Sequence, residues 1–243
     1  VIDRIAPTRR PPGAPAGYQK WRTLLFLHWQ VPVEALRPLI PKALSIDTFE
    51  DKAYVGIVPF TMVDVRPRRL PAVSLVSDFH EMNVRTYVHL NGRDPGVWFF
   101  SLDAAKAIPV RIARRFWHLP YFRSDMELAK DGDDVHYRSE RRWPEPVPAS
   151  FEASYRIGES IGNAKPDTFE HFLAERYFLY SDWGAQGLKL GQVNHVPYPL
   201  HRATINSWRE DLFRPLGLPS AQGEPLALFS PGVDVEVFAL KPV

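Results

Sequence analysis

The densest chemistry in the chain lies in Phe79-His80-Glu81-Met82-Asn83-Val84-Arg85-Thr86-Tyr87-Val88. On a strand, alternate side chains point to opposite faces. One face then carries Phe79, Glu81, Asn83, Arg85 and Tyr87, and the other His80, Met82, Val84, Thr86 and Val88. Met82, Val84 and Val88 read as core. The opposite row sets an acid, an amide and a guanidinium between two aromatic rings. Two readings fit it. In one the row is solvated and Glu81 and Arg85 neutralise each other, which contributes little. In the other it lines a pocket, where Arg85 forks onto a carboxylate, Glu81 moves a proton, and Asn83 and Tyr87 orient the ligand. Aromatic framing favours the pocket, because Phe79 and Tyr87 gain little from facing water. The expected ligand is a small, anionic molecule.

Other clusters are less specific. Glu175-Arg176-Tyr177-Phe178-Leu179-Tyr180 is a charged pair leading into an aromatic strand, and its simplest meaning is an ion pair at a helix end. His195 and His201 are six apart across two prolines, which is not the i, i+4 spacing of helical zinc sites. With no cysteine in the chain, no metal is expected. That segment reads as a Pro-rich turn or a loop at a pocket mouth. Arginines gather at 66, 68 and 69, at 111, 114 and 115, and at 138, 141 and 142. Each group has acids nearby and none comes with a Gly-rich phosphate motif, so they read as solvated faces. No Gly-x-Ser-x-Gly elbow supports serine hydrolysis, and no motif calls for a cofactor.

Composition sets outer bounds. At 243 residues and 45% hydrophobic, the chain can bury a large core and lacks the signature of disorder. Thirty basic residues against 28 acidic ones leave +2, so neither nucleic acid nor membrane is expected as a partner. The longest apolar run, Leu24 to Leu27, ends at His28, far short of the ~20 residues of a spanning helix. The start of the chain has no apolar signal core, and zero cysteines suit a reducing cytoplasm.

The elements that must position these residues are mainly strands. Segments 21–29, 53–65, 79–90, 97–103, 122–129, 135–142, 150–157 and 233–240 have strand length and composition. Lys130-Asp131-Gly132-Asp133 is a hairpin turn. Strands interrupted by proline should be edges. Helices are expected over 32–39, over 104–117 with Ile108, Ile112 and Phe116 on one stripe, from Asp167 as N-cap to about 175, and over 208–216 up to Gly217. Residues 1–17, rich in Pro, Gly and Arg, read as an extended arm, and 18–243 as one domain. Many strands with few helices give a β-rich α+β class, mainly an antiparallel barrel or cone. Aromatic edge strands raise the prospect of a homodimer.

Six segments then add a resemblance: FLHWQVPVEALRPLIPKAL (26–44), AYVGIVPFTMVDVRPR (53–68), FHEMNVRTYVHLNGRDPGVWFFSLDA (79–104), ARRFWHLPY (113–121), FLAERYFLY (172–180) and SPGVDVEVFAL (230–240). Together and in order they resemble the YqjF-like family of uncharacterised bacterial proteins, which is similar to the acetoacetate decarboxylase-like superfamily. The resemblance implies a β-rich cone enclosing a small-molecule pocket. Superfamily decarboxylases form a Schiff base on the first lysine of Gly-Phe-Pro-Lys-Lys-Leu-Ala. Here the similar stretch is Ala107-Ile108-Pro109-Val110-Arg111-Ile112-Ala113. The nucleophile falls on Val110, which has no amine, and its cationic neighbour on Arg111, which stays protonated. Lys106, one turn earlier, is either a substitute or a surface lysine. The resemblance also places the superfamily's active-site glutamate at Glu81 and its pocket arginine near Arg22. It implies an enzyme without a Schiff base or a binding protein that has lost the chemistry, and a filled barrel with a structural role is the third reading.

Overall fold

Apolar runs bounded by turn residues become strands of one large sheet. The computed structural model describes residues 2–145 and 149–243. In chain order the strands are β1 (Gly17–Val31), β2 (Ser45–Ile46), β3 (Ala53–Pro67), β4 (Phe79–Leu90), β5 (Arg93–Ala104), β6 (Tyr121–Asp131) and β7 (Asp134–Trp143). They continue with β8 (Ser150–Gly162), β9 (Phe178–Asp182), β10 (Leu188–Asn194), β11 (Leu200–Glu210), β12 (Leu226–Val237) and β13 (Lys241–Pro242). The helices are α1 (Val33–Leu36), α2 (Ser74–Ser77), α3 (Ala107–Phe116) and α4 (Phe169–Ala174). None of the described helices is long and apolar enough to cross a membrane.

The sheet closes on itself. The path β5-β6-β7-β8-β11-β12-β1-β3-β4 returns to β5 through the β4–β5 ladder. A second circuit, β5-β9-β10-β12-β1-β3-β4, shares β12, β1, β3, β4 and β5 with the first. Pairing is antiparallel except where β5 meets β6 and β9. The shared strands therefore form a wall between two apolar compartments. Leu25, Leu27, Val55, Ile57, Met82 and Val84 pack on one side with Tyr137, Phe151 and Tyr155. Leu24, Phe26, Val58 and Phe60 pack on the other with Tyr177, Tyr198 and Val110. This alternation is the period-2 rule with both faces buried.

The β-rich α+β class with few short helices is as the sequence implies, and Gly132 (φ 57°) makes the expected hairpin turn. Several local expectations fail for physical reasons. Segment 208–216 is not a helix: β11 runs to Glu210, and only Arg214–Leu216 forms a 3-10 turn. Trp208 packs on Trp29 with tilted rings 5.0 Å apart, and the Glu210 carboxylate accepts from the Leu212 and Phe213 N–H groups, ending the strand. The α4 N-cap is Thr168, whose hydroxyl accepts from His171 N, not Asp167. Pro59 sits in the central strand β3, opposite the stretch of β1 between Arg22 and Leu27 where the register breaks, so its missing N–H costs no ladder bond. Strands β10 and β11 were hidden in the sequence by Pro197, Pro199 and the glycines around 184–191.

Arg141 corrects the reading of the third arginine group as solvated. It is buried and forks onto Asp103 at 2.8 and 2.7 Å, with Ser124 Oγ donating to the same carboxylate at 2.7 Å. Three neighbouring strands are thus tied by one carboxylate. The N-terminal arm is also tied down: Arg4 pairs with Asp47, the Gln192 amide holds the Pro7 and Arg9 carbonyls, and Arg10 pairs with Glu236. Removing one partner of a buried pair strands the other charge, at about 3–5 kcal/mol. Asp103→Ala is therefore expected to lower the unfolding free energy by that amount in urea titration, whereas Asp103→Leu with Arg141→Met recovers most of it. Equal loss in single and double variants would contradict the pairing.

Candidate functional site

The stripe on β4 faces inward. Phe79, Glu81, Asn83, Arg85 and Tyr87 are all buried, at 8, 2, 6, 8 and 0% exposure. The solvated reading is thus wrong in this structure, and Glu81 and Arg85 do not pair with each other. Burial follows from the closed sheet, because the side of β4 that carries the stripe is covered by β9, β10, α4 and the 195–198 connection.

Glu81 accepts a hydrogen bond from Tyr121 Oη at 3.0 Å, and Tyr137 Oη donates to its backbone carbonyl at 3.0 Å. Burial pushes its carboxyl up to about 8, with nearby Asp103 adding to the rise and Tyr121 opposing it. At neutral pH Glu81 is therefore mostly a protonated acid. The Tyr121 phenol is pushed well above its ordinary value by burial and by Glu81.

Arg85 is a buried cation with no carboxylate partner among the described residues. Its Nη2 donates to the Leu173 carbonyl at 3.1 Å, and its guanidinium lies 5.7 Å from the rings of Phe26 and Tyr87. Its Nε finds no acceptor, and Asn83 Oδ1 finds no donor. Such orphans are costly unless something completes them.

His28, which the sequence reading passed over, belongs here. In register it faces Gly56, and Gly56 faces Arg85. A Cβ at Gly56 would stand 2.8 Å from His28 Nε2 and 3.6 Å from Arg85 Cγ, so glycine makes the room. Tyr87 Oη donates its one proton to the Leu173 carbonyl at 2.7 Å. The 2.5 Å contact with His28 Nε2 must then have the histidine donating. Burial, with Arg85 and Arg176 nearby, holds His28 well below its ordinary value, so it is neutral and its Nδ1 is a bare acceptor with no donor. The only advance signal was a histidine closing the apolar run 24–27.

The other clusters resolve differently from expectation. Glu175 and Arg176 are not paired. Glu175 accepts from Tyr177 Oη at 2.7 Å and Tyr198 N at 2.9 Å, and burial raises its carboxyl. Arg176 donates to Asp47 at 2.7 Å and to the Phe172 carbonyl at 2.8 Å. His195 lies stacked on Tyr177, with Nδ1 donating to the Val196 carbonyl at 2.7 Å, and burial lowers it to about 4. No metal-ligating group of three is found among the described residues.

Arg22 is not brought to the stripe. It pairs with Asp234 and donates to the Trp21 and Val233 carbonyls. In register it aligns with Thr61 and thus His80, the opposite face of β4 from Glu81. The register break in β1 that follows Arg22 is what a sequence alignment cannot place. Two surface cavities are formed elsewhere, of about 140 and 220 Å³, bordered by Lys20, Asp64 and Asp234 and by Phe178, Gln192 and Phe238. No stripe residue lines either, and the stripe itself is buried.

With this geometry in view, the relatives are informative. The DUF2071 family model, described as an uncharacterized conserved protein, matches residues 18–234. The chain belongs to the DUF2071 family. It is 35% identical over 223 residues to the uncharacterized protein YqjF of Bacillus subtilis (strain 168), covering 92% of this chain and 90% of that one. Among solved structures it is similar to the enduracididine biosynthesis enzyme MppR complexed with the condensation product of pyruvate and imidazole 4-carboxaldehyde, with TM-score 0.64, 12% identity, and coverage of 96% of this chain and 90% of that one. An acetoacetate decarboxylase-like enzyme from Sphingomonas wittichii RW1 gives TM-score 0.61 at 11% identity, over 95% of this chain and 94% of that one. At such identities the likeness is one of fold.

Val110 of α3 is fully buried in the same apolar compartment as Phe60 and Tyr177. The side chain there points inward but offers no nucleophile. Lys106 precedes α3 at its N-cap, half-buried.

The raised Glu81 has a measurable sign. Its ordinary value is 4.5 and its folded value about 8, so between those pH values the folded chain holds a proton that the unfolded chain releases. Stability therefore falls as pH rises through that window and levels off above it. Glu81→Gln, neutral and isosteric, should remove this contribution. In urea unfolding at about pH 5 and about pH 8, the wild type should lose on the order of a few kcal/mol more than the variant. Parallel losses in both would show that Glu81 is ionised in the fold.

Proposed function

We propose that the chain binds a small anionic molecule, an oxo- or carboxylate-bearing acid, in the compartment faced by the β4 stripe. The supporting observation is the buried Arg85 guanidinium, which has no carboxylate partner among the described residues and whose Nε has no acceptor. A carboxylate would complete it by charge-assisted hydrogen bonds. Glu81, protonated at neutral pH, would act as general acid and, after giving up its proton, as base. Enolisation, hydration or dehydration needs no more than one such group. Val110 leaves no amine for a Schiff base at the superfamily position. Asn83 orients the ligand, Tyr87 and His28 fix the wall behind Arg85, and Phe79 closes the row.

In this reading residues 18–243 form one domain with the 1–17 arm laid upon it, acting in the cytoplasm. That MppR has been seen with pyruvate is consistent with a ligand of this class. Catalysis and binding alone share the same clamp and differ in Glu81. A structural reading draws on one further observation, that neither surface cavity reaches β4, and it predicts no ligand response at all.

The test is thermal unfolding with panels of small oxo acids, hydroxy acids and fatty acids. A ligand at about 100 times its Kd stabilises the fold by about 2.7 kcal/mol, or roughly 5–11 °C for a domain of this size. Arg85→Met, which keeps the stem against Phe26, should abolish the shift. Glu81→Gln should keep it while losing exchange of ligand carbon-bound protons with solvent, followed by NMR. A shift unchanged in Arg85→Met would move the ligand away from β4, and no shift with any acid would favour the structural reading.

A further inference from the structure

The stripe of α3 expected from its spacing is present, and it is left exposed among the described residues. Ile108, Ile112 and Phe116 are 55, 43 and 61% exposed, and Trp117 at the C-cap is 44% exposed. Val110 and Ala113 are the residues that α3 buries. The apolar ridge of Ile108, Ile112 and Phe116 marks a contact surface. Along one edge of the ridge, at helical spacing, run Arg111 and Arg115, and Arg114 lies farther round. None of the three has a carboxylate partner among the described residues, and α3 has no acid in its first turn. Arg111 and Arg114 lie over Trp143, which is itself 42% exposed, and Arg115 lies over Phe116.

We propose that α3 docks on an anionic lipid surface. Ile108, Ile112 and Phe116 enter the acyl boundary, while Arg111 and Arg115 meet headgroup phosphates. Charge and apolarity single out this occupant. An acidic peptide would meet the arginines along one edge but leave the apolar ridge of Ile108, Ile112 and Phe116 uncovered. A second copy packed antiparallel about a two-fold axis would set arginines against arginines. Nucleic acid would meet the arginines but leave Ile108 and Ile112 in water. A basic amphipathic helix lying in the plane of an interface uses both halves of the pattern. The net charge of +2 argues against a membrane partner only as an average over 243 residues; here the charge is local.

The full chain is mixed with vesicles of phosphatidylglycerol and phosphatidylcholine, or of phosphatidylcholine alone, and sedimented. Binding is expected on the anionic vesicles, about ten-fold weaker on the neutral ones, and declining with salt. Ile112→Ser with Phe116→Ser should weaken it about ten-fold again, and Arg111→Gln with Arg115→Gln should reduce it to the neutral-vesicle level. All four side chains are exposed, and circular dichroism checks that each variant is folded. No sedimentation with anionic vesicles, equal binding to neutral ones, or undiminished binding by the serine variant overturns the proposal. So does self-association on size exclusion that the serine variant abolishes while vesicles are ignored, which assigns the ridge to a second copy.

Discussion

Because β4 is buried on both faces, every charge it carries must be balanced inside the protein or left without balance. Its neighbours in the shared wall are apolar on either side, and taking an ion out of water costs several kcal/mol unless hydrogen bonds and opposite charge replace the solvent. Glu81 meets the constraint by keeping its proton. Arg85 cannot do so, since a guanidinium stays charged at any accessible pH. Among the described residues it has the Leu173 carbonyl, the Tyr87 hydroxyl, two aromatic faces and no anion.

Much of the surrounding structure follows from holding that cation. Gly56 leaves space for His28 against the Arg85 stem. Tyr87 fixes the His28 tautomer and shares the Leu173 carbonyl with Arg85, which ties α4 to β4. Next to it, Arg176 is balanced by Asp47, which also holds Arg4 from the N-terminal arm. Two buried arginines thus lie near the same Tyr87 ring, one with its carboxylate and one without. The contrast, within one wall and one set of aromatics, singles out Arg85.

The alternation in 79–88 made the stripe legible, since Glu81, Asn83, Arg85 and Tyr87 share one face in the sequence and in the fold. What covers that face was not legible, because the cover comes from β9, β10 and α4, more than eighty residues away in sequence. His28 was missed because a lone histidine ending an apolar run has no motif, and its role appears only through Gly56 and Tyr87. Arg22 was misplaced because the β1 register breaks just after it. On α3, spacing gave the apolar stripe but not which way it turned. Val110 and Ala113 anchor the helix, a choice made by tertiary packing over periodicity.

The central claim is that Arg85 receives an anion from a ligand. The most direct measurement is anomalous diffraction from crystals soaked with a bromine-labelled carboxylic acid such as 4-bromobenzoate. A bromine peak in the compartment beside β4, with carboxylate density within hydrogen-bond reach of Arg85, is the predicted result. Bromine confined to the surface, with no carboxylate density at Arg85, would contradict it.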